Sequence, residues 1–479
     1  MGWKPDRHAH TPIYIQIAKY MEQRISTGEY PAGSKLPSER SLARELKVNR
    51  STIVAAYDEL RAAGLIESKH GTGTIVSADI WGLSHTRIPN WQHLVQTGSF
   101  LPNHPLVRQM RKEMQDNDWI DFANGELAED LVPNAALQRL MAHNDFHFAW
   151  GYEHIQGNSE LRETIASHMH TFRKIESTSS SILITSGAQQ AIHLIVQCLL
   201  QPGDAVAIED PSYCYSLPIF QTAGLRTFLL PVDHAGINPD DVERLHREHR
   251  VKMIFLNPNY QNPTGSLLSY ERRLRILEIA AAYGIPVVED DPYSLTSFQG
   301  DFVPTLKSLD RHGTVLYISS LSKIVASGLR IGWVVGPESV IERLADAKQQ
   351  IDFGQSFLPQ WMANQFLASA EFDAHLHSLR NELEERKEMV LDAFQRVMGD
   401  RIAFFHTSGG IHLWGKLQEN MDEYQLLREG MKRGVTFMPG RVLGSREGFV
   451  RLTYGRVQKG SIYEGANRFA DAWDHVHTS

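Results

Sequence analysis

The sequence predicts an α/β protein in two parts, a small helical head that ends in a β-hairpin and a large body built on a mostly parallel sheet. Two patterns indicate this: helical spacing broken by turns over residues 11–77, and apolar runs alternating with helical stretches beyond residue 180. At about 150 residues per domain, 479 residues predict two or three domains. We divide the chain into a head (1–78), a linker (79–117) and a body (118–479).

Composition excludes several classes of protein. Hydrophobic residues make up 42% and charged residues 22%, which is typical of a globular protein. Cys198 and Cys214 are the only cysteines and belong to no ligand pattern, so we exclude a disulfide framework and a zinc finger and expect no metal. The first residues lack the apolar core of a signal peptide, and the uncharged stretch 177–203 is too polar to span a membrane. We therefore expect a cytoplasmic protein.

Charge is unevenly distributed along the chain. The head has 11 Lys and Arg against 8 Asp and Glu, a net charge of +3, and the remainder has 37 against 48, a net charge of −11. A basic head on an acidic body is typical of a chain whose head meets a polyanion. Many solvated domains carry a similar charge without such a partner, so charge alone does not decide the function.

The pattern of the head predicts three helices and a hairpin. A first helix follows Thr11-Pro12 and ends near Gly28, and Ser38 and Asn49 can cap two more. These further elements are helices Glu39–Leu46 and Arg50–Ala63 and strands Leu65–Ser68 and Thr74–Ser77. Three helices and a hairpin in fewer than 80 residues outline a winged helix-turn-helix.

The third helix could read DNA. Arg50, Ser51 and Thr52 occupy its first turn, where a helix in the major groove meets base edges, and Arg40 on the preceding helix could hold the backbone. The hairpin tip, His70-Gly71, is slim enough to enter a minor groove. The alternative is that both arginines are ordinary solvated side chains.

The segment from residue 36 to residue 76 resembles the DNA-binding domain of the GntR regulator family. The matching elements are Pro37-Ser38-Glu39-Arg40, Leu42-Ala43, Val48, Arg50-Ser51-Thr52, Tyr57, Leu60, Gly64-Leu65-Ile66, Gly71 and Gly73. The resemblance implies that operator DNA is the partner. It also implies that Arg40, Arg50, Ser51, Thr52, His70 and Gly71 touch it.

The sequence of the body predicts alternating strands and helices. Its predicted strands are Ser181–Thr185, Ala205–Glu209, Met253–Asn257, Pro286–Glu289, Val315–Ser319 and Gly332–Gly336. Helical stretches such as Ala188–Leu200 and Tyr270–Tyr283 lie between them, and a smaller α/β subdomain follows from about Asp373. This pattern predicts parallel strands joined by crossover helices.

Four strings stand at predicted strand ends, where an α/β sheet binds ligands. They are Ser186-Gly187-Ala188-Gln189-Gln190, Asn262-Pro263-Thr264-Gly265, Glu289-Asp290-Asp291-Pro292-Tyr293, and Ser320-Leu321-Ser322-Lys323 with Gly328-Leu329-Arg330. Pyridoxal phosphate needs a lysine for its Schiff base, a carboxylate at its ring nitrogen, donors at its ring oxygen and a phosphate cup. The four strings offer each of these groups.

Lys323 is the candidate for the Schiff base and Asp290 for the ring nitrogen, while Asn262 and Tyr293 would bind the ring oxygen. The remaining candidates for cofactor binding are Ala188 and Gln189 at a helix start, Ser320, Ser322 and Arg330 at the phosphate, and Tyr213 stacked on the ring. Taken singly, each string could be an ordinary turn, helix start or surface lysine. Their combination in this order predicts the cofactor.

Residues from about Asp118 to Trp473 resemble the fold type I aminotransferases. The resemblance also takes in Tyr152, Gly157, Leu161-Arg162, Gly203-Asp204, Pro439-Gly440 and Val450-Arg451-Leu452. A GntR head on such a body resembles the MocR-like regulators, which implies a homodimer, commonly head-to-tail, and an effector sensed at the cofactor. Arg451 stands where the enzymes hold a substrate carboxylate, which implies an amino acid or amine as effector. Tyr152 matches a tyrosine that reaches the neighbouring subunit's phosphate, although a core tyrosine would look the same.

Three functions remain open from the sequence. The first is a transcriptional regulator that senses an amino acid or amine through Lys323. The second is an aminotransferase with a regulatory head, because the chain keeps the asparagine and tyrosine, Asn262 and Tyr293, that several regulators of this kind have lost. The third makes pyridoxal phosphate itself the signal.

Overall fold

The computed structural model forms two units, residues 1–100 and 101–479, and each has its own hydrophobic core. The described residues are 3–69, 73–77, 91–115, 119–142, 151–418 and 421–478.

The first unit contains the three predicted helices and the hairpin. Its elements are α1 (Ile13–Ser26), α2 (Glu39–Leu46), α3 (Arg50–Ala62), β1 (Ile66–Lys69), β2 (Gly73–Val76) and α4 (Trp91–Thr97). The side chain of Ser38 accepts a hydrogen bond from the Ser41 amide, as its predicted cap role requires. Asn49 stands at the N-cap of α3, as predicted, although its side chain makes no capping hydrogen bond.

The core of the first unit is formed by one face of each helix. Ile17 and Met21 of α1 pack with Ile53 and Tyr57 of α3 in one buried cluster. The Tyr57 hydroxyl donates to the carbonyl oxygen of Pro37, 2.8 Å away, and so ties α3 to the segment before α2. This packing leaves the first turn of α3 at the surface. The predicted hairpin tip, His70-Gly71, lies outside the described residues.

The second unit is built around an eight-stranded sheet with helices on both sides. Its helices are α5 (Pro105–Gln115), α6 (Asn134–Ala142), α7 (Ser159–His168), α8 (Ala188–Leu199), α9 (Ile219–Thr222), α10 (Pro239–His249), α11 (Tyr270–Tyr283), α12 (Leu306–Leu309), α13 (Glu338–Asp352), α14 (Phe357–Leu367), α15 (Glu371–Met398), α16 (Glu423–Lys432), α17 (Gly440–Leu443) and α18 (Ile462–Thr478). Its strands are β3 (Ile120–Asp121), β4 (Ile182–Thr185), β5 (Ala205–Asp210), β6 (Arg226–Asp233), β7 (Gly236–Ile237), β8 (Val251–Leu256), β9 (Val287–Asp290), β10 (Val315–Ser320), β11 (Gly332–Val335), β12 (Ile402–Phe404), β13 (His412–Leu417), β14 (Val435–Thr436), β15 (Met438–Pro439) and β16 (Phe449–Thr453).

The large sheet has the strand order β4-β11-β10-β9-β8-β5-β6-β7. Strands β6, β5, β8, β9 and β10 pair in parallel, whereas β11 pairs antiparallel with both of its neighbours. The predicted fold class, a mostly parallel α/β sheet, is therefore confirmed. Because the parallel strands end at one edge, the strings that follow β5, β8, β9 and β10 come together there.

A smaller antiparallel sheet, in the order β12-β13-β16-β15, forms the predicted C-terminal subdomain. Its register places His412 opposite Thr453, and Trp414 opposite Arg451. Helix α15, predicted over Leu376–Arg396, is longer and spans 28 residues.

Two helices lie in the segment for which the sequence predicts a linker. Helix α5 buries Leu106, Val107 and Met110, a short apolar stripe directly after Pro105 that is too brief to stand out as a helix in the sequence. Among the described residues, no helix is both long and apolar enough to cross a membrane.

Candidate functional site

A cavity of about 350 Å³ opens at the edge where the parallel strands of the large sheet end. The structure brings eleven of the predicted cofactor and effector residues into its lining: Ala188, Gln189, Tyr213, Asn262, Asp290, Tyr293, Ser320, Ser322, Lys323, Arg330 and Arg451. They come from five strand ends and from β16 of the smaller sheet. The cavity is therefore assembled by the topology, although its residues are distant in sequence.

Lys323 and Asp290 both line this cavity, and burial shifts the pKa of each in the direction of its neutral form. The Lys323 ammonium donates to the carbonyl oxygen of Gly125. Burial lowers the pKa of Lys323 to about 8, against the opposing charge of Glu126. Burial, together with the charge of Asp291, raises the pKa of Asp290 to about 7. Oδ1 of Asp290 is buried and accepts no hydrogen bond from any described residue. A protonated ring nitrogen would supply the missing donor, so Asp290 fits the cofactor.

The start of α8 forms a cup suited to a phosphate. Gly187, at φ +80°, precedes the helix, and a Cβ added there would lie 2.7 Å from Nη2 of Arg330. That nitrogen donates to the carbonyl oxygen of Ser186, 2.8 Å away. Free amides at a helix start, an arginine beside them and the hydroxyls of Ser320 and Ser322 in the same lining are the groups that bind a phosphate.

Arg451 and Asn262 form the opposite wall. Nη1 of Arg451 donates to Oδ1 of Asn262 at 3.0 Å, and Nη2 donates to the carbonyl oxygen of Ala123 at 2.5 Å. This leaves the Asn262 amide nitrogen directed at the Tyr293 hydroxyl, 3.5 Å away. Burial lowers the pKa of Arg451 to about 10. Among the described residues its guanidinium donates to an amide oxygen and a carbonyl oxygen, and its buried Nε has no partner. A buried guanidinium without a carboxylate is suited to an anionic ligand.

Sequence reasoning missed several lining residues. Arg111 of α5 and Glu126 line the cavity, but both belong to segments without a recognisable motif. Glu209 also lines it, and burial raises the pKa of its carboxyl to about 7. His412 lies behind Tyr293, with Nε2 3.1 Å from the Tyr293 hydroxyl. A lone histidine in an apolar strand carries no sequence signal of such a role.

Tyr152 is the one predicted cofactor residue that the structure does not bring to the cavity. Its side chain is 90% exposed, and its ring lies 5.9 Å from the ring of Phe353. Phe353 is itself exposed, as are Ile351 and Leu358 close to it in sequence. Within one chain, Tyr152 and Phe353 therefore form an exposed aromatic pair.

The predicted DNA-binding residues of the first unit lie on α2 and α3. Arg40 and Ser51 are exposed, and Thr52 is half-buried. Nε and Nη2 of Arg50 donate to Oε2 of Glu39, at 3.0 and 2.8 Å. The sequence did not predict this ion pair between the two helices.

Comparisons with known proteins match both units. Residues 13–76 match the family described as bacterial regulatory proteins, gntR family, and residues 117–469 match aminotransferase class I and II. A relative from Bacillus subtilis, the uncharacterized HTH-type transcriptional regulator YdfD, is 38% identical over 95% of this chain and 95% of its own length. The HTH-type transcriptional regulator NorG of Staphylococcus aureus is 31% identical over 88% of this chain and 95% of its own.

Solved structures resemble the second unit. The kynurenine aminotransferase of Pyrococcus horikoshii, in complex with PMP, is 29% identical with a TM-score of 0.73, covering 78% of this chain and 95% of its own. LysN, an α-aminoadipate aminotransferase from Thermus thermophilus complexed with N-(5'-phosphopyridoxyl)-L-leucine, is 28% identical with a TM-score of 0.71, covering 78% and 96%.

Proposed function

We propose that this chain, which belongs to the MocR-like regulators with a GntR helix-turn-helix joined to an aminotransferase class I and II domain, binds pyridoxal phosphate and reports an amino acid or amine to operator DNA. It is a transcriptional regulator with an aminotransferase-like domain. The cofactor, the effector and the response are the proposed parts.

The unsatisfied oxygen of Asp290 carries the proposal. A buried carboxylate oxygen without a donor is costly unless a ligand supplies one. It lines the same cavity as Lys323 and Arg330. Pyridoxal phosphate, when bound, supplies an aldehyde that reacts with amines and a ring that withdraws electrons. Asp290 would hold a proton on the ring nitrogen, Lys323 would bind the aldehyde carbon, and the start of α8 with Arg330 would hold the phosphate.

The effector would be a primary amine with a carboxylate. Lys323 would hold the cofactor through its amine, and the cofactor would supply an aldehyde carbon at which the effector's amine could replace that of Lys323, which would be released as a free amine. Arg451 would pair with the effector's carboxylate at the other wall. The response on DNA can be no larger than the difference in the effector's affinity for the two states of the regulator.

A homodimer is part of this proposal. Tyr152 and Phe353 form an exposed aromatic pair, and Ile351 and Leu358, close to Phe353 in sequence, are exposed as well; a second copy of the chain could cover these side chains. In a head-to-tail dimer, Tyr152 would reach the phosphate in the partner's cavity. Two heads would then meet two half-sites of the operator.

One observation favours turnover as a second function. The cavity keeps the lysine, the aspartate, the ring-oxygen donors Asn262 and Tyr293, and Arg451 together. An aminotransferase needs the same groups, but it has no need of residues 13–76, which match the GntR family.

The test is the visible absorption spectrum of the cofactor-loaded chain during titration with amino acids and amines, with operator binding measured in parallel. A sensor gives a band that shifts and persists, and DNA affinity changes at the same concentration. Lys323→Ala and Arg451→Gln should abolish the response to amino acids. A Lys323→Ala chain that still responds on DNA contradicts the exchange. Loss of the band with steady release of keto acid favours the enzyme, and DNA affinity that follows cofactor loading alone makes the cofactor the signal.

A further inference from the structure

His412 occupies a place that neither the cofactor nor the effector explains. It begins β13 and is 2% exposed. The register of the smaller sheet places it opposite Thr453 of β16, and its Nδ1 lies 3.0 Å from the Thr453 hydroxyl. Its other nitrogen, Nε2, lies 3.1 Å from the hydroxyl of Tyr293, which follows β9 of the large sheet. The imidazole thus joins the two sheets at the wall of the cavity.

The imidazole is neutral in this position. Burial, followed by the positive charges of Arg451 and Lys323, places the pKa of His412 well below its ordinary value. A neutral imidazole has one nitrogen that donates and one that accepts. The hydrogen bonds of its two partners decide which nitrogen donates.

Thr453 decides between the two tautomers. Its side chain is fully buried, and within the described part of the chain its hydroxyl has no hydrogen-bond partner other than His412. If Nδ1 carried the proton, the hydrogen of this hydroxyl would be buried without an acceptor, which is unfavourable. The favoured arrangement has the Thr453 hydroxyl donating to Nδ1. Nε2 of His412 then carries the proton.

This assignment fixes the direction of the Tyr293 hydroxyl. Its oxygen would receive a hydrogen from Nε2 of His412 and, at 3.5 Å, one from the amide of Asn262. The amide itself is oriented by Arg451, which donates to its oxygen. Burial raises the pKa of the Tyr293 phenol, so the phenol keeps its hydrogen. That hydrogen has no acceptor left on this side.

We propose that His412 is a positioning residue, whose Nε2–H donates to the Tyr293 oxygen and thereby turns the Tyr293 hydroxyl hydrogen into the cavity. This inference rests on the proposed function, because the acceptor for that hydrogen would be the ring oxygen of the cofactor. A ring oxygen accepts most strongly after it has lost a proton, so a donor aimed at it favours the deprotonated form.

The test is the pH at which the visible band of the cofactor-loaded chain changes. His412→Phe should move this midpoint upward by about 0.5 to 1 pH unit, the effect of one lost or weakened hydrogen bond. Tyr293→Phe should move it in the same direction, and the double variant should move it no further than Tyr293→Phe alone. Thr453→Val removes the hydroxyl that selects the His412 tautomer but keeps the volume of the side chain. It should give a smaller upward shift of the midpoint, and it is the decisive variant if His412→Phe does not fold.

The control is His168→Phe. His168 is also buried, its ring nitrogens have no hydrogen-bond partner among the described residues, and it lies outside the cavity lining. Arg451, Asp290 and Tyr213 act electrostatically on Tyr293, and Arg451 and Lys323 act on His412. These groups are the same in every variant except for the substitution tested. An unchanged midpoint in both His412→Phe and Thr453→Val, or a shift that adds to that of Tyr293→Phe, overturns the inference alone. A wild-type chain without any visible band overturns the cofactor proposal and this inference with it.

Discussion

Arg50, at the start of the helix expected to read DNA, is held by Glu39 of the preceding helix through two hydrogen bonds to one carboxylate oxygen, at 3.0 and 2.8 Å. The pair is on the surface, with 58% of the Arg50 side chain and 27% of the Glu39 side chain exposed. An ion pair of this exposure contributes little to stability, about 0–1 kcal/mol. What the ion pair does instead is restrict the direction of the Arg50 side chain in the absence of DNA.

Glu39→Gln should therefore weaken discrimination between DNA sequences more than it weakens binding. Removal of a negative charge near the phosphates should raise the affinity for any duplex by a few fold, whereas the freed Arg50 should lower the ratio of specific to non-specific affinity. Fluorescence anisotropy with operator and scrambled duplexes at several salt concentrations measures both. Glu45→Gln is the matched control, because Glu45 is an exposed acid of the same helix. Equal effects of the two substitutions would rule out an orienting role for Glu39.

The lowered pKa of Lys323, about 8, predicts how the cofactor-free chain captures pyridoxal phosphate. Only the neutral amine attacks the aldehyde, so the rate of capture should rise as the pH passes through about 8. Glu126 opposes this shift by holding the ammonium form. Glu126→Gln should therefore move the midpoint to lower pH in stopped-flow absorbance measurements. Glu129→Gln, an exposed acid outside the cavity lining, should leave it in place. A midpoint that moves upward in Glu126→Gln contradicts the electrostatic account.

The raised pKa of Asp290 predicts a stability cost in the cofactor-free chain. The folded chain holds this proton up to about pH 7, whereas an exposed aspartate releases it near pH 4, so the free energy of unfolding falls as the pH rises through that window. Asp290→Asn cannot ionise. Relative to the wild type, it should gain about 1 to 3 kcal/mol between pH 5 and pH 8, even though it should load the cofactor poorly. Urea unfolding at the two pH values measures the gain. Asp301→Asn, at an exposed position, should show no such gain, and a pH-independent difference for Asp290→Asn would contradict the buried-carboxyl account.

The strand-end strings could be found from sequence because each is a local signal whose position depends only on the direction of its strand. Once β5, β8, β9 and β10 are predicted as parallel, residues such as Tyr213, Asn262, Asp290 and Lys323 must meet at one edge. The cavity thus follows from fold class and chain order, without knowledge of any contact.

The missed features depend on registers and partners that no local pattern encodes. The proposed role of His412 depends on two neighbours. One is Thr453, opposite it on β16, and the other is Tyr293, which follows β9 of the large sheet and is 119 residues away in sequence. Strand β6 was missed because Pro231 cannot donate to a ladder. Strand β6 tolerates Pro231 because β7, its neighbour on the outer side, pairs only with Val232 and Asp233. The ion pair of Arg50 with Glu39 depends on how α2 and α3 are oriented relative to each other, which the sequence pattern does not give.

Tyr152 offers the sharpest test of the proposed dimer, because its exposed ring lies outside the cavity of its own chain. If it completes the partner's cavity, Tyr152→Ala should lower cofactor loading at both cavities of a homodimer, and Lys323→Ala should abolish covalent capture at both. Refolding or co-expressing the two variants together should then restore one cavity in each mixed dimer, since the chain with the intact lysine receives its tyrosine from the other variant. We expect a visible band of wild-type pH dependence at about a quarter of the sites for equal mixing.

If Tyr152 acted within its own chain, no cavity of the mixture would hold both residues and no wild-type band would return. A mixture of Tyr152→Ala with Tyr152→Ala/Lys323→Ala is the control, because it provides no intact tyrosine in either arrangement.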